Sequence, residues 1–229
     1  MASAARNGNG ARAGRGATGL SEDAVVAAAI ALADRDGFEA VSIRRVAAEL
    51  GTGHMNLYTH VASKDDLVSL MFDVLMGEAC APTEPGMPWR DALAELSRSF
   101  RATIVAHPWA ADALALQPAM RRNAARRAML LLQAFDEFEL PGAEVWELIS
   151  IVDEYVLGHA IRTTTAQRRT GGLETLATDA ELDRHPELRV LAQSRRGRAS
   201  IERFEAGLAT VLDGIEQRVA RAPRRSRAA

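Results

Sequence analysis

Apolar residues recur at three- and four-residue intervals along most of this chain, and glycine, proline or capping side chains fill the gaps between these runs. The pattern predicts helices from end to end, with no convincing strand and no internal repeat. Ser21 stands as an N-cap before Glu22 and Asp23, whose charges suit a helix N-terminus, and Val25, Ala29, Leu32 and Ala33 follow at helical spacing. Gly37 ends that helix and leaves Phe38 free to fold back on it. Ser42 caps a second helix with Ile43, Val46, Ala47 and Leu50 on one face, and Gly51 and Gly53 make a turn. A third helix, from about His54 to His60, buries Leu57 and turns His54, Met55, Asn56, Tyr58 and Thr59 outward. Ser63 and Asp66 form a capping box that opens a longer helix with Leu67, Leu70, Met71, Val74 and Leu75 on one side.

The segment APTEPGMP, from Ala81 to Pro88, is the clearest linker. After it the spacing predicts a helix from Trp89 to about Ala106, a break at His107-Pro108, and a short helix ending near Gln117-Pro118. A longer helix runs to Leu140, where Pro141-Gly142 stops it. From Ala143 to about Arg168 a long helix turns Val145, Leu148, Ile149, Val152, Val156 and Ala160 inward. A poorly periodic stretch opens at Thr170-Gly171-Gly172 and includes His185-Pro186. The last helix, about Arg198 to Ala220, carries Phe204, Leu208, Val211, Leu212, Ile215 and Val219.

Composition narrows the class. The chain has 229 residues, 48% of them hydrophobic and 5% aromatic, which suits a folded helical protein and excludes a disordered one. No apolar run reaches the length of about 18 residues that a membrane span needs. The N-terminus has arginines but no apolar core, so it does not read as a secretory signal. The single Cys80 excludes an internal disulfide framework and suits a reducing cytoplasm, the expected location. It reads as a small core residue rather than a nucleophile.

The net charge of -2 does not announce a nucleic-acid partner. Basic residues gather at the ends instead: Arg6, Arg12 and Arg15 in a tail without acids, and Arg218, Arg221, Arg224, Arg225 and Arg227 near the C-terminus. Two readings of these ends stand: solubilising tails, or an N-terminal arm that reaches into a minor groove. Lys64, the only lysine, follows the third helix.

The segment from Ser21 to about Leu75 resembles the DNA-binding domain of the tetracycline-repressor (TetR) family. GFEAVSIRRVAAELG, the turn into HMNLYTHV, and SKDDLV carry the resemblance, and LYTHV looks like the LYxHV form of the tetracycline-repressor branch itself. Beyond this segment the likeness is weaker: helices of suitable length, with PWRDAL and VLGHA as echoes. The resemblance implies an all-α protein, with an N-terminal three-helix helix-turn-helix DNA-binding domain and a C-terminal helical ligand-binding and dimerisation domain. Residues 1–19 would be a disordered basic arm, 20–80 the DNA-binding domain with its connecting helix, 81–222 the C-terminal domain and 223–229 a basic tail. It implies a homodimer that binds double-stranded operator DNA, most simply a repressor released from a palindrome by a hydrophobic small molecule. No membrane partner and no cofactor are expected.

The resemblance places Ser42 and Arg44 against the DNA backbone and base edges, His54, Met55, Asn56, Tyr58, Thr59 and His60 in or beside the major groove, and Lys64 on a phosphate. Elementary chemistry agrees in outline. Arginine pairs bidentately with guanine, asparagine with adenine, and methionine or a threonine methyl touches thymine. Tyr58 and Lys64 suit phosphate oxygens, which fix register without reading sequence. Tyr58 and His60 have a second reading as packing residues at a helix seam, and Arg45 reads as a solvated position. Gly53 and Met55 give this recognition helix a surface of its own.

Catalytic and metal constellations are absent from the sequence. His54, His60, His107, His159 and His185 form neither HExxH nor the ExxH pair of di-iron bundles, and there is no GxSxG, phosphate loop or dinucleotide fingerprint. An effector pocket between helices is implied by the resemblance, with Phe100, His107, Trp109, Gln117, Met129, Gln133, Trp146, Asp153 and Tyr155 as candidates. Asp153 stands out, because an acid within IVDEYVLG is costly to bury unpaired. It either faces the pocket or meets an arginine at a subunit seam. Two other functions remain open: an enzyme built on the helical body, and a DNA-binding regulator with no small-molecule effector.

Overall fold

The computed structural model describes residues 20–80, 86–116, 118–168, 184 and 200–225. The N-terminal tail, the last four residues of the C-terminal one, most of the linker, Gln117 and nearly all of the poorly periodic stretch after Thr170 lie outside the described residues. Among those described the fold is all-helical, with one isolated antiparallel bridge between Phe138 and Arg224.

Helix α1 (Glu22–Asp36) starts where Ser21 Oγ accepts the Ala24 N–H at 3.2 Å. It stops at Gly37, whose φ of 86° suits a residue without a Cβ. A 3-10 turn, Phe38–Ala40, then carries Phe38 into the core. Helices α2 (Ile43–Glu49) and α3 (His54–Leu57) pack on each other, and α2 packs on α1. The third helix is shorter than its expected span to His60. After Leu57 the backbone tightens: the N–H groups of Thr59 and His60 bond three residues back, to Asn56 and Leu57. That tightening brings Val61 into the core with Leu57.

Helix α4 (Lys64–Glu78) is capped by Ser63, whose Oγ accepts the Asp66 N–H at 3.0 Å. Asp66 answers by accepting the Ala62 N–H at 2.8 Å, one residue before the cap. Helices α1, α5 (Trp89–Ala106), α6 (Ala110–Leu114) and α7 (Arg122–Gln133) all pack on α4, so Leu67, Val68, Leu70, Met71, Phe72, Leu75 and Met76 are buried around most of its circumference. Val74, expected inward, lies on the strip these neighbours leave open.

The trunk lays α8 (Gly142–Arg168) between α5 and α9 (Ser200–Val219). Leu93, Leu96, Phe100 and Ile104 of α5 meet a common core with Ile149, Val152 and Val156 of α8 and with Phe204, Leu208 and Leu212 of α9. Each such side chain contributes roughly 1.5–3 kcal/mol by leaving water. Helix α7 does not reach Leu140 as expected. Successive turns after Gln133 sink Phe135 and Phe138 beside Trp89, at ring separations of 5.7 and 6.4 Å. Backbone pairing to the chain end replaces the missing helical bonds: Glu139 N–H to the Pro223 carbonyl at 2.8 Å, and Arg225 N–H to that of Glu137 at 2.9 Å.

Candidate nucleic-acid interface and ligand pocket

The turn between α2 and α3 depends on Gly51, whose φ of 64° lies in the left-handed region. Leu57, fully buried, anchors α3 to the domain and so fixes which of its side chains face away. His54, Met55, Asn56, Tyr58 and Thr59 are exposed, Met55 at 66% and Tyr58 at 49%, while His60 is half-buried. Asn56 donates one amide hydrogen to Thr52 Oγ1 at 2.9 Å, which orients the amide and leaves its carbonyl oxygen and second N–H for a base edge. Thr59 spends its hydroxyl hydrogen on the Asn56 carbonyl at 2.7 Å. Ser42 Oγ accepts the Arg45 N–H at 3.3 Å as the cap of α2, and Arg44, next to Arg45, is exposed. Lys64 is exposed, with Nζ 5.8 Å from the Phe38 ring centroid.

Exposed ion pairs also link α1 to α2. Arg35 reaches Glu49 at 2.5 Å, and Arg45 reaches Asp36 at 2.5 Å. Arg45 is exposed as expected, yet it is engaged. Its neighbour Arg35 and Arg45 itself hold the Asp36 carboxyl below the ordinary carboxylate range.

One face of α4 is a polar rail for α7. Asp66 pairs with Arg121, and Ser69 Oγ accepts the Ala119 N–H at 3.1 Å. Asp73 Oδ1 accepts the N–H groups of Asn123 at 2.9 Å and Ala124 at 3.0 Å, which makes it the cap of α7. At Gly77 a Cβ would lie 3.0 Å from Asn123 Nδ2, so a small residue admits this close approach. A second joint meets α1. Asp34 accepts the Trp109 indole N–H at 2.7 Å and lies 2.8 Å from His107 Nδ1, and the Trp109 ring is parallel to that of Phe38 at 6.2 Å. His107 Nε2 lies 3.4 Å from Glu78 at the end of α4.

The pocket candidates do not converge as a set. His107 and Trp109 belong to the joint with α1, and Gln117 lies outside the described residues. Met129, Gln133 and Trp146 are exposed. Tyr155 ties α8 to α9: its hydroxyl donates to the Phe204 carbonyl at 2.8 Å, and a Cβ at Gly207 would collide with the Tyr155 hydroxyl. Phe100 and Asp153 come together through a residue the sequence reading missed. Arg127, 7% exposed, grips Asp153 with both terminal nitrogens at 3.0 and 2.8 Å and lies 4.3 Å from the Phe100 ring centroid. Asp153 therefore meets an arginine of its own chain. Burial is the reason: an acid on the apolar flank of α8 takes the nearest cation that is also leaving water. The Arg127 Nε is buried without a partner.

Two open grooves border the trunk. One, of about 510 Å³, runs between α5 and α9 past Arg90, Glu95, Arg98 and Glu205. The other, of about 800 Å³, lies beside the returning chain end and is bordered by Trp89, Gln133, Glu137 and Arg224. Gln133 is the one pocket candidate on either. No helix among the described residues is long and apolar enough to cross a membrane.

Comparison with known proteins completes the picture. The profile described as "Bacterial regulatory proteins, tetR family" matches residues 25–71, and "Tetracyclin repressor-like, C-terminal domain" matches residues 81–219. The HTH-type transcriptional repressor DrrR1 of Streptomyces coeruleorubidus is 34% identical over 219 residues, covering 88% of this chain and 79% of that protein. Among solved structures, the TetR family protein ActR of Streptomyces coelicolor in complex with actinorhodin superposes with a TM-score of 0.74 at 26% identity, over 88% of this chain and 99% of ActR. Apo ActR gives a TM-score of 0.72 at 27% identity, over 85% and 94% of the two chains.

Proposed function

This chain belongs to the tetR family of bacterial regulatory proteins, and from that premise we propose that it is a homodimeric transcriptional repressor released from a palindromic operator by a small hydrophobic effector. The observation that carries the reading is the outward row on α3 and the turn after it, Met55, Asn56, Tyr58 and Thr59, held on a buried Leu57 and joined to the trunk through α4. In it, residues 20–80 are the reader and 81–222 the ligand-binding and dimerisation body. Ser42 and Arg44 meet the backbone and base edges, His54 to His60 follow the major groove, and Lys64 meets a phosphate. The protein works in the cytoplasm, where its DNA is.

Two copies pair through α9 and the outward face of α8, a four-helix interface about a two-fold axis. Ile151 and Ile161 stand on α8 50% and 39% exposed, with Gly158 between them at helical spacing, a face that a second copy would cover. Such a dimer sets its reading helices about 34–36 Å apart, matching successive major grooves. An effector near Phe100, Arg127 and Asp153 shifts α7, and the rail passes that shift to α4. Coupling of roughly 1–3 kcal/mol gives a 5- to 150-fold change in operator affinity. DrrR1 supports the repressor reading by its name, and ActR, solved with actinorhodin, supports the effector reading.

Fluorescence anisotropy with DNA flanking the gene, at physiological salt, tests the proposal. Saturable binding that survives excess competitor DNA is expected, and binding no tighter than to random duplex overturns it. The scatter of Met129, Gln133 and Trp146 over the surface favours a second reading, a regulator without an effector. Thermal-shift screening against hydrophobic metabolites separates the two: no ligand that both stabilises the protein and releases DNA is the outcome for the second.

A further inference from the structure

Arg101 of α5 is half-buried against α8 and α9, with its guanidinium 5.1 Å from the Phe204 ring centroid. Its hydrogen bonds are long and go to neutral acceptors: Nε to His159 Nδ1 at 3.3 Å and Nη2 to Ser200 Oγ at 3.5 Å. The other well-placed trunk arginines differ. Arg98, one turn earlier, holds Glu205 through Nε and Nη2, Arg127 holds Asp153, and Arg90 holds Asp213 and Glu216. Glu205, the acid nearest Arg101 in electrostatic reach, is thus already engaged.

Among the described residues Arg101 has no carboxylate as a hydrogen-bond partner, and Glu205 acts on it only from a distance. Thr163 donates its hydroxyl hydrogen to the His159 carbonyl at 2.9 Å, so the 2.9 Å contact between Thr163 and Ser200 has the Ser200 hydroxyl as donor. The chain of bonds therefore runs from Arg101 through Ser200 and Thr163 to a backbone oxygen. Burial lowers the Arg101 pKa, and burial together with Arg101, Arg203 and Arg162 lowers that of His159. For Arg101 the direction expresses burial, which Glu205 opposes from a distance; for His159 it expresses burial and the cations beside it.

We propose that Arg101, with Ser200, Thr163 and His159 around it, binds the oxyanion of a small ligand, a carboxylate or a phosphate. The fork of the guanidinium matches two oxygens of either group, and the Ser200 hydroxyl can rotate from Thr163 to a third contact. An anion there also favours the protonated imidazole, which would add a charged donor. The site is separate from the operator-reading face and from the Phe100, Arg127 and Asp153 cluster.

The test titrates inorganic phosphate and, in a parallel arm, benzoate into the full-length dimer at fixed pH and ionic strength, against chloride. Heat of binding and the NMR titration of the His159 ring are the two readouts. Saturable binding with a rise in the His159 midpoint is expected for at least one oxyanion, and at least tenfold weaker binding in Arg101→Gln. Response to phosphate alone assigns a phosphate-bearing ligand, and response to benzoate alone a carboxylate. Equal effects of chloride, no response to either oxyanion, or an undiminished response in Arg101→Gln overturn the site. Should that variant fail to fold, Arg101→Lys and Ser200→Ala, which keep the charge and the packing, must each weaken binding for the site to stand.

Discussion

Asp73 on α4 accepts the backbone N–H of Asn123 at 2.9 Å, so the helix that leaves the reading domain supplies the N-cap of a helix in the trunk. A cap from a neighbouring helix does two things at once. It satisfies orphan donors of α7, and it makes the position of α4 part of the stability of α7. Asp73→Ala is expected to cost about 0.5–2 kcal/mol, a fall of roughly 2–4 °C in melting temperature per kcal/mol for a chain of this size. Hydrogen exchange should show the Asn123 and Ala124 amides losing protection, while Asp73→Asn, which keeps an acceptor, should lose less. Unchanged exchange at those two amides would mean that the cap is not formed in solution.

Arg127 and Asp153 make a different kind of contribution. With Arg127 7% exposed, removing the acid leaves a cation in an apolar site. Asp153→Ala is expected to cost at most about 3–5 kcal/mol, and toward the lower end because Asp153 itself is 29% exposed. The double replacement Arg127→Met with Asp153→Leu should recover most of that loss. Urea unfolding of both single variants and the double variant gives the cycle directly. A double variant no more stable than Asp153→Ala alone would show that the pair is not what holds the site.

His159 contributes to the pH dependence of the trunk. Its pKa lies below the ordinary 6.5, by burial first and then by Arg101 and Arg203. A base with a lowered native midpoint binds fewer protons folded than unfolded between the two midpoints. The stability it permits is therefore full above about pH 6.5 and drains away as pH falls through the unfolded midpoint toward the folded one. In a buffer without oxyanions, His159→Gln should lose less stability than the parent between pH 7.5 and 5. Parallel curves for the two proteins would remove His159 from the acid sensitivity.

These contacts also mark where sequence reading stops. Caps and turns are local: Ser21, Gly37, Ser42, Gly51 and Ser63 announce their roles through their neighbours, so the helices of the reading domain were legible, down to the outward row beside Leu57. The acid at Asp153 also announced itself, since its apolar flank demanded a partner. Its partner did not, because Arg127 sits in RRNAARRAMLLLQ, where every arginine suits a solvated face. His107 and Trp109 read as pocket residues because an aromatic at a helix break serves a cavity or a domain joint equally well. Only the approach of Asp34, far away in sequence, decides between them. The early end of α7 was hidden for the same reason: Phe135 and Phe138 leave helical spacing to meet Trp89, and the bonds that permit it come from the distant chain end.

The reading face can be dissected by separating charge from base recognition. Lys64 carries a positive charge that the proposed docking sets against a phosphate, and it has no base-reading fork. Lys64→Ala should weaken operator and random DNA alike and lower the slope of log affinity against log salt by about one. Asn56 is neutral, and its amide is oriented by Thr52 at 2.9 Å. Asn56→Ala should leave the salt slope unchanged and cost about 1–3 kcal/mol on the operator alone, with the loss confined to one base pair. Anisotropy titrations over a salt series, repeated on operators with each base pair changed in turn, distinguish the two. If Asn56→Ala weakens all duplexes equally, or Lys64→Ala spares random DNA, then α3 does not lie in the major groove with this face inward.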